Sequence, residues 1–298
     1  MNTGDVLIDA LELASAVRSV SALRPVVLDV RWRLGGPPPA ELYASGHLPG
    51  AVGVDLDREL AAAVGDGSRG RHPLPEPDAL QAALRRWGID GDSPVVAYDD
   101  ADGSTAALAW WLLRWAGLGD VRVLDGGIAA WTAAGLPLTT EVPAPGPGKV
   151  VVRPGGMPVL DANAAAALAA GGGVLLDARV AARYRGEVEP VDPVAGHIPG
   201  ARNAPTSGNV DASGRFLSPE RLRERFASLG VDSSRPVGAY CGSGVTAAQE
   251  VLALHLADFP AALYAGSWSE WVADRTRPVE TGPDRGVPAA SSADPSAS

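Results

Sequence analysis

The sequence predicts an α/β protein made of two copies of one domain, each a mainly parallel β-sheet flanked by helices. The chain has 298 residues, which is about the length of two ordinary domains. Segments of the first half recur in the same order in the second half, as expected of a repeat architecture. Short apolar runs alternate with helical patterns, and this alternation requires crossover connections and therefore a parallel sheet.

The repeat is clearest in the motif Gly-His-x-Pro-Gly-Ala, which occurs at 46–51 and again at 196–201 with five of six residues identical. Three more pairs keep the same order along the chain: 27–31 with 175–179, 94–99 with 236–241, and 126–131 with 266–271. One such pair could arise by chance, but four in order indicate a tandem duplication.

Within the copies, apolar and β-branched runs predict buried strands, and amphipathic or alanine-rich runs predict helices. The predicted strands are 26–28, 95–98, 121–124, 174–176 and 237–240. The predicted helices are 77–87, 105–116, 218–228 and 246–257. The third helix opens with Ser218 as N-cap and Pro219 in the first turn, a favourable start.

The repeat and the composition together predict the domain boundaries. The first domain is expected at 5–138 and the second at 159–280. Between them, 139–158 is rich in proline and glycine and is predicted to be a linker. The end, 281–298, consists mainly of proline, serine, alanine and aspartate, a composition that predicts a disordered tail.

Composition and charge exclude several functions. The formal net charge of −10 argues against nucleic-acid binding, which depends on basic residues that neutralise phosphates. A lone cysteine and four widely spaced histidines leave no disulfide framework, no metal site and no sign of a cofactor. No apolar run reaches the roughly 18 residues of a membrane helix, and Met1–Asp5 has no basic region of a secretory signal. The expected location is the cytoplasm.

The lone cysteine, Cys241, lies where a predicted strand leads into a predicted helix, the position at which open parallel sheets bind ligands. The loop that follows is Gly242, Ser243, Gly244, Val245 and Thr246. Its glycines allow backbone N–H groups to turn inward, and the helix N-terminus favours negative charge, so the loop suits a thiolate nucleophile. The Thr246 hydroxyl is expected to cap the helix or steady the loop. The alternative is that Cys241 is a small buried apolar residue.

The counterpart of Cys241 in the first copy is Asp99, within a loop that carries three carboxylates and no thiol. These like charges would repel an anionic sulfur donor. The second copy is therefore predicted to be the active one.

These motifs resemble the two-domain sulfurtransferases of the rhodanese family. The resemblance rests on the tandem copies, the paired Gly-His-x-Pro-Gly-Ala motifs, the Asp-x-Arg after the first strand of each copy and Cys-Gly-Ser-Gly-Val-Thr at 241–246, and it covers about residues 5 to 280. It implies two rhodanese-like domains, of which the second is catalytic, and a Cys241 that alternates between thiolate and persulfide. It implies a small anionic donor, 3-mercaptopyruvate or thiosulfate, and a thiol or cyanide as acceptor. The loop 241–246 is similar to that of the mercaptopyruvate enzymes, so that donor is the expected one.

An anionic donor calls for a cation, and Arg179, Arg183 and Arg185 cluster after the first strand of the second copy. Arg183 is the strongest candidate, because the resemblance places it where the family's arginine contacts the donor. Arg179 has an alternative and preferred interpretation, a buried ion pair beside the strand. Where the mercaptopyruvate enzymes have a second substrate arginine, this chain has Val191.

Three further residues are candidates for the site. His47 is expected either to relay a proton with Ser243, as the resemblance suggests, or to order its own turn. Arg71, next to His72 in a loop rich in glycine and proline, is expected either to reach the cleft between the domains or to be solvated. Trp268 follows a strand of the active copy and could line the pocket, although tryptophans more often pack in a core.

Two other functions compete with sulfur transfer. A cysteine-dependent phosphatase would need an arginine six positions after the cysteine, where this chain has Ala247. A binding protein with an inert Cys241 is the other alternative. The sequence does not indicate the oligomeric state.

Overall fold

The computed structural model describes residues 6–19 and 24–283, and its two halves are built alike. In the first half the strands are β1 (Leu7–Ile8), β2 (Val26–Asp29), β3 (Val52–Gly53), β4 (Val95–Tyr98) and β5 (Val121–Leu124). The helices are α1 (Ala10–Arg18), α2 (Pro39–Ala44), α3 (Pro77–Arg86), α4 (Ser104–Trp115) and α5 (Gly127–Ala133), with a π-helical turn at Leu56–Leu60.

The second half repeats this order. Its strands are β6 (Val159–Leu160), β7 (Val174–Asp177), β8 (Arg202–Asn203), β9 (Val237–Tyr240) and β10 (Ala261–Tyr264). Its helices are α6 (Ala162–Ala170), α7 (Ala181–Tyr184), α8 (Pro219–Ser228), α9 (Val245–Leu256) and α10 (Ser267–Trp271), with a 3₁₀ turn at Thr206–Gly208.

The two sheets have the same strand order. They run β1-β5-β4-β2-β3 and β6-β10-β9-β7-β8, with every pair of neighbours parallel. The α/β duplication is therefore confirmed, and each predicted strand and helix is present with its ends within one residue of the prediction. Parallel strands place their carboxyl ends at one edge of a sheet, so the loops after β7, β9 and β10 lie together.

The central strand β9 is buried along its whole length. A Cβ at Gly238 would lie 2.6 Å from Cδ1 of Leu160, so glycine lets the flanking leucines close over the strand. Helix α8 begins as the sequence predicts, since Ser218 Oγ accepts the N–H of Arg221 at its N-cap.

The two domains share one apolar core, because α4 packs against α9. Trp110 and Trp111 of α4 are almost fully buried in this core, as their apolar neighbours predict. At the amino ends of the two helices, Gln249 Nε2 donates to the Asp102 carbonyl at 2.9 Å. This packing holds loops of the first domain over the carboxyl edge of the second sheet.

Residues 139–158 contain neither a helix nor a strand, only a single bridge from Thr139 to His47. They are nevertheless attached to the first domain, with the Arg153 N–H bonded to the Ala116 carbonyl and Val150 buried. Most of the predicted tail, like Met1–Asp5, lies outside the described residues. Among the described helices, none is both long and apolar enough to span a bilayer.

Candidate active site

Cys241 lies between the end of β9 and the start of α9, at the carboxyl edge of the second sheet. It is 2% exposed, and the backbone N–H of Gly244 donates to its Sγ at 3.2 Å. Gly244 has φ +87°, and a Cβ there would lie 2.5 Å from the Ala265 carbonyl oxygen, so the turn requires glycine. The sulfur thus lies at the N-terminus of α9, where peptide dipoles favour negative charge.

The turn after β10 fixes the cysteine loop from the other side. Ser267 Oγ accepts the Cys241 N–H at 3.1 Å. The N–H groups of Trp268 and Ser269 donate to the carbonyls of Cys241 and Gly242 at 3.0 and 2.9 Å. Ser267 has φ +55°, a conformation that is rare for residues other than glycine and asparagine, and these hydrogen bonds hold it in place. The loop is therefore rigidly positioned before any ligand arrives.

The loop residues 242–246 have different places in the structure. Gly244 is the N-cap of α9, and Thr246 lies inside the first turn, so the expected capping by Thr246 is not what the structure has. Val245 packs into the shared core. Gly242 and Ser243 meet polar side chains of the first domain.

The matching loop of the first domain holds a carboxylate. Asp99 is buried and accepts hydrogen bonds of 3.0 to 3.2 Å from four backbone N–H groups and one hydroxyl. The donors are Ala101, Gly103, Thr105 (N–H and Oγ1) and Ala106. Burial raises the pKa of Asp99, and these bonds oppose that rise. This fold of strand, loop and helix is thus able to enclose an anion with its backbone N–H groups.

Ser243 is joined to two residues of the first domain. His72 Nδ1 lies 2.8 Å from Ser243 Oγ, and His72 Nε2 lies 3.1 Å from Asp57 Oδ1. Trp32 Nε1 donates to the other oxygen of Asp57 at 2.9 Å, and its ring stands edge-on to His72 with 5.2 Å between ring centroids. The Ser243 hydroxyl, the His72 imidazole and the Asp57 carboxylate form a chain of hydrogen bonds, here called the relay, that ends beside Cys241.

The protonation of His72 follows from its partners. Burial lowers the pKa of His72, assisted by Arg71 and opposed by Asp57, so the ring is neutral at neutral pH. An ionised carboxylate only accepts hydrogen bonds, so Nε2 carries the ring proton and Nδ1 accepts from the Ser243 hydroxyl. His72 is therefore set to take a proton from Ser243.

Two arginines converge on Gly242, one from each domain. A Cβ at Gly242 would lie 2.9 Å from Arg71 Nη2 and 3.5 Å from Arg183 Nη1. The Arg71 backbone N–H is held by Ser269 Oγ at 3.1 Å. Its Nε is buried and has no hydrogen-bond partner among the described residues, so a donor group is left over beside the cysteine loop. Arg71 therefore reaches the cleft, the first of its two expected placements.

Two carboxylates pair with these arginines. Glu189 accepts from Arg183 Nε and Nη2 at 3.1 and 2.7 Å. Asp192 bonds Arg71 Nη1 through one oxygen and Arg183 Nη2, at 3.1 Å, through the other. Burial alone would raise the pKa of Glu189, but the bonds from Arg183 and from backbone N–H groups lower it. The pairs leave Arg71 Nη2 and Arg183 Nη1 facing Gly242.

Arg179 and Arg185 are not placed at the donor position. Arg179 is buried, with its guanidinium on Asp177 at 2.6 Å and stacked over the Trp268 ring. The first domain has the same pair between Arg31 and its own aspartate, so the role is structural in both copies. Arg185 lies at the surface and pairs with a neighbouring glutamate. Of the three predicted arginines, only Arg183 lies beside the loop.

His47 and Trp268 both have packing roles in the structure. His47 is buried, stacks on Tyr43 with ring centroids 3.7 Å apart and bonds the Tyr43 carbonyl. His197 does the same with Tyr184 in the second domain, so both histidines order their turns. Trp268 is fully buried and packs in the core. His72 stands at Ser243, where the sequence suggested His47.

Sequence reasoning missed Asp57, Asp192 and the contact between His72 and Ser243. One signal was available, because His47 and His197 recur in the duplicated motif whereas His72 has no such counterpart. A polar residue that is present in only one of the two copies is a candidate for a functional role that the copies do not share. The two aspartates carry no such signal, since many surface loops contain them.

A cavity of about 480 Å³ opens beside the relay on the first-domain side. Its walls include Trp32, Leu34, Val64 and Pro37–Pro39, and Arg71, His72 and Asp57 border it. The relay can thus be approached from solvent through this cavity.

The comparisons with known proteins agree with this architecture. A model of the rhodanese-like domain matches the chain twice, over residues 10–134 and 161–274. The chain belongs to the rhodanese-like family. The two matches fall on the two halves of the duplication, each with its own sheet, and they confirm the resemblance drawn from the sequence motifs.

Individual rhodanese-like relatives cover almost the whole chain. A probable 3-mercaptopyruvate sulfurtransferase from Pseudomonas aeruginosa is 50% identical over 283 residues, 93% of this chain and 98% of that protein. A putative thiosulfate sulfurtransferase from Mycobacterium tuberculosis, SseB, is 48% identical over 284 residues, 94% of this chain and 98% of that protein. The crystal structure of the 3-mercaptopyruvate sulfotransferase SseA from Escherichia coli has a TM-score of 0.78 and 31% identity, covering 88% of this chain and 98% of its own. The first two are named for different donors.

Proposed function

We propose that the protein is a sulfurtransferase, in which Cys241 takes a sulfur atom from a small anionic donor and passes it to a thiol or cyanide. The observation that carries this proposal is the convergence on one buried cysteine of an anion-binding loop, two guanidinium groups and a Ser-His-Asp relay. The names of its relatives support the same activity. Dithiol–disulfide exchange would need two cysteines, whereas the chain has a single cysteine.

In the first half-reaction, the Cys241 thiolate attacks the terminal sulfur of the donor. A sulfur–sulfur bond forms at Cys241, and the donor's own bond to that sulfur breaks with its electron pair. Sulfite leaves when the donor is thiosulfate, and the enolate of pyruvate leaves when it is 3-mercaptopyruvate. In the second half-reaction the acceptor attacks the outer sulfur of the persulfide, and the Cys241 thiolate is restored.

The relay serves the donor that carries a proton. With 3-mercaptopyruvate, the thiol proton must leave sulfur and reach the carbon of the departing enolate. Ser243 and the neutral His72 provide a route for this proton, and Asp57 stabilises the imidazolium formed on the way. Thiosulfate has no proton to move and gains nothing from the relay.

The persulfide anion is held by the backbone of its loop. The Gly244 N–H already donates to Cys241 Sγ, and the N–H groups that follow belong to the first turn of α9 and need acceptors. Asp99 in the first domain receives bonds from the corresponding positions. We infer that its carboxylate fills the place that the persulfide takes in the second domain.

Arg183 and Arg71 bind the anionic end of the donor. Both guanidiniums face Gly242, next to the nucleophile, and a guanidinium fork matches a carboxylate or sulfonate oxygen pair. Arg71 supplies the second guanidinium of the site, since this chain has Val191 where the mercaptopyruvate enzymes have a second substrate arginine. The second cation of the site then comes from the first domain.

We infer that 3-mercaptopyruvate is the preferred donor, since the relay has no task with thiosulfate. The acceptor would approach through the cavity beside His72. This inference and the activity itself are tested by measuring kcat/KM for both donors with cyanide as acceptor. Higher kcat/KM with 3-mercaptopyruvate is expected, and a clear preference for thiosulfate overturns the donor assignment.

Cys241→Ser provides the control. It keeps the fold, as circular dichroism would verify, and is expected to abolish turnover with both donors. Residual turnover would exclude Cys241 as the nucleophile. Absence of turnover in the unmodified protein would favour the alternative of a binding protein with an inert cysteine.

A further inference from the structure

Asp192 links the two domains beside the cysteine loop. Its carboxylate bonds Arg71 of the first domain and Arg183 of the second, one oxygen to each. The side chain is 3% exposed, and its backbone N–H is held by Glu189 at 3.0 Å. Asp192 therefore lies within the group that receives the donor, although it repels anions.

The charges of this group cancel before a donor binds. Arg71 and Arg183 carry one positive charge each, and Asp192 and Glu189 carry one negative charge each. The buried Arg179 pairs with Asp177 at 2.6 Å and also lies 3.5 Å from Glu189. Arg179 and Asp177 together add no net charge. Hydrogen-bond donors are nevertheless left over, namely Arg71 Nε and Nη2 and Arg183 Nη1, which have no partner within residues 6–19 and 24–283. These four side chains form a clamp that has free hydrogen-bond donors but no net charge.

We propose that Asp192 determines donor specificity by holding this two-arginine clamp at zero net charge, so that a donor with one negative charge is preferred over a dianion. The proposal rests on the sulfurtransferase function proposed above. A carboxylate donor such as 3-mercaptopyruvate brings one charge and satisfies the free N–H groups. Thiosulfate brings two charges next to Asp192 and Glu189, and in this buried setting the second charge is poorly screened.

Asp192→Asn tests the proposal because it removes the charge and keeps nearly the same shape. The ratio of kcat/KM for thiosulfate to kcat/KM for 3-mercaptopyruvate is expected to rise about tenfold, equivalent to about 1.4 kcal/mol. Glu187→Gln is the matched control, since Glu187 lies in the same segment, pairs at the surface with Arg185 and should leave the ratio unchanged. A structural role alone would lower both kcat/KM values together and leave the ratio as it was.

Two further variants separate charge from geometry and cover a failure of Asp192→Asn to fold. Arg71→Gln makes the clamp negative and is expected to move the ratio in the opposite direction. The pair Arg71→Gln with Asp192→Asn restores neutrality without leaving either buried charge alone, and its ratio should return towards that of the unmodified protein. If the ratio stays constant across these variants, the specificity proposal is overturned.

Inhibition by unreactive anions gives a readout that does not depend on turnover. In Asp192→Asn, sulfate should inhibit more strongly relative to acetate than it does in the unmodified protein, and equal strengthening of both would contradict the proposal. Failure of the function itself looks different. In that case the unmodified protein transfers no sulfur from either donor. If only the specificity proposal fails, the protein transfers sulfur but the ratio of the two kcat/KM values does not change in Asp192→Asn.

Discussion

Replacing His72 by glutamine separates the two donors. Glutamine can keep a hydrogen bond to Ser243 Oγ, now 2.8 Å from His72 Nδ1, but it cannot accept a proton at neutral pH. A positioned acid–base group contributes about 100- to 10,000-fold to a rate. Because one of the two bonds of His72 can be replaced, we expect a loss near the lower end, about 100- to 1,000-fold in kcat for 3-mercaptopyruvate, or about 3–4 kcal/mol. With thiosulfate, which has no proton to relay, kcat should change less than about threefold.

The assay is thiocyanate formation from cyanide with each donor, at saturating donor and the same pH. His255→Gln is the matched control, because His255 lies in the last turn of α9 beside Trp110, far along the helix from Cys241, and should leave both rates unchanged. An equal loss with both donors would show that His72 only supports the structure. A loss below about tenfold with 3-mercaptopyruvate would exclude a proton relay.

The remaining predictions concern stability and pH. Asp99→Ala should lower the free energy of unfolding by about 2–4 kcal/mol, because four backbone N–H groups lose a buried acceptor; an unchanged urea midpoint contradicts this. Arg179→Gln removes the guanidinium that pairs with the buried Asp177 and should lower the free energy of unfolding by about 3–5 kcal/mol; unchanged stability together with a raised KM would instead indicate that Arg179 binds the donor. Burial lowers the pKa of His72 from its ordinary 6.5, so kcat/KM for 3-mercaptopyruvate should be flat at neutral pH and fall as acid protonates the ring; the same acid limb in His72→Gln would contradict this assignment.

The fold was predictable because its determinants are local and occur twice. Apolar runs such as 95–98 and 237–240 are short, fully buried and followed by helical patterns, so strand and helix could be placed within one residue. The duplication predicted that the two halves share one fold. The cysteine loop was predictable for the same reason, since Gly244 allows the left-handed turn that leads into α9.

The rest of the site depends on contacts between distant loops. His72 and Ser243 are far apart in the chain and meet because α4 packs against α9, which no local pattern specifies. Proximity in sequence was misleading for Arg179 and Arg185, which adjoin Arg183 in the chain but end in a buried pair and at the surface. Asp192 could be recognised only after Arg71 and Arg183 were seen on either side of it.

Transfer through Cys241 is tested most directly by the intact mass of the protein after incubation with 3-mercaptopyruvate and removal of the donor. The expected result is a gain of one sulfur atom, lost on addition of cyanide and absent in Cys241→Ser. An unchanged mass with both 3-mercaptopyruvate and thiosulfate, or the same gain in Cys241→Ser, would contradict a persulfide at this residue.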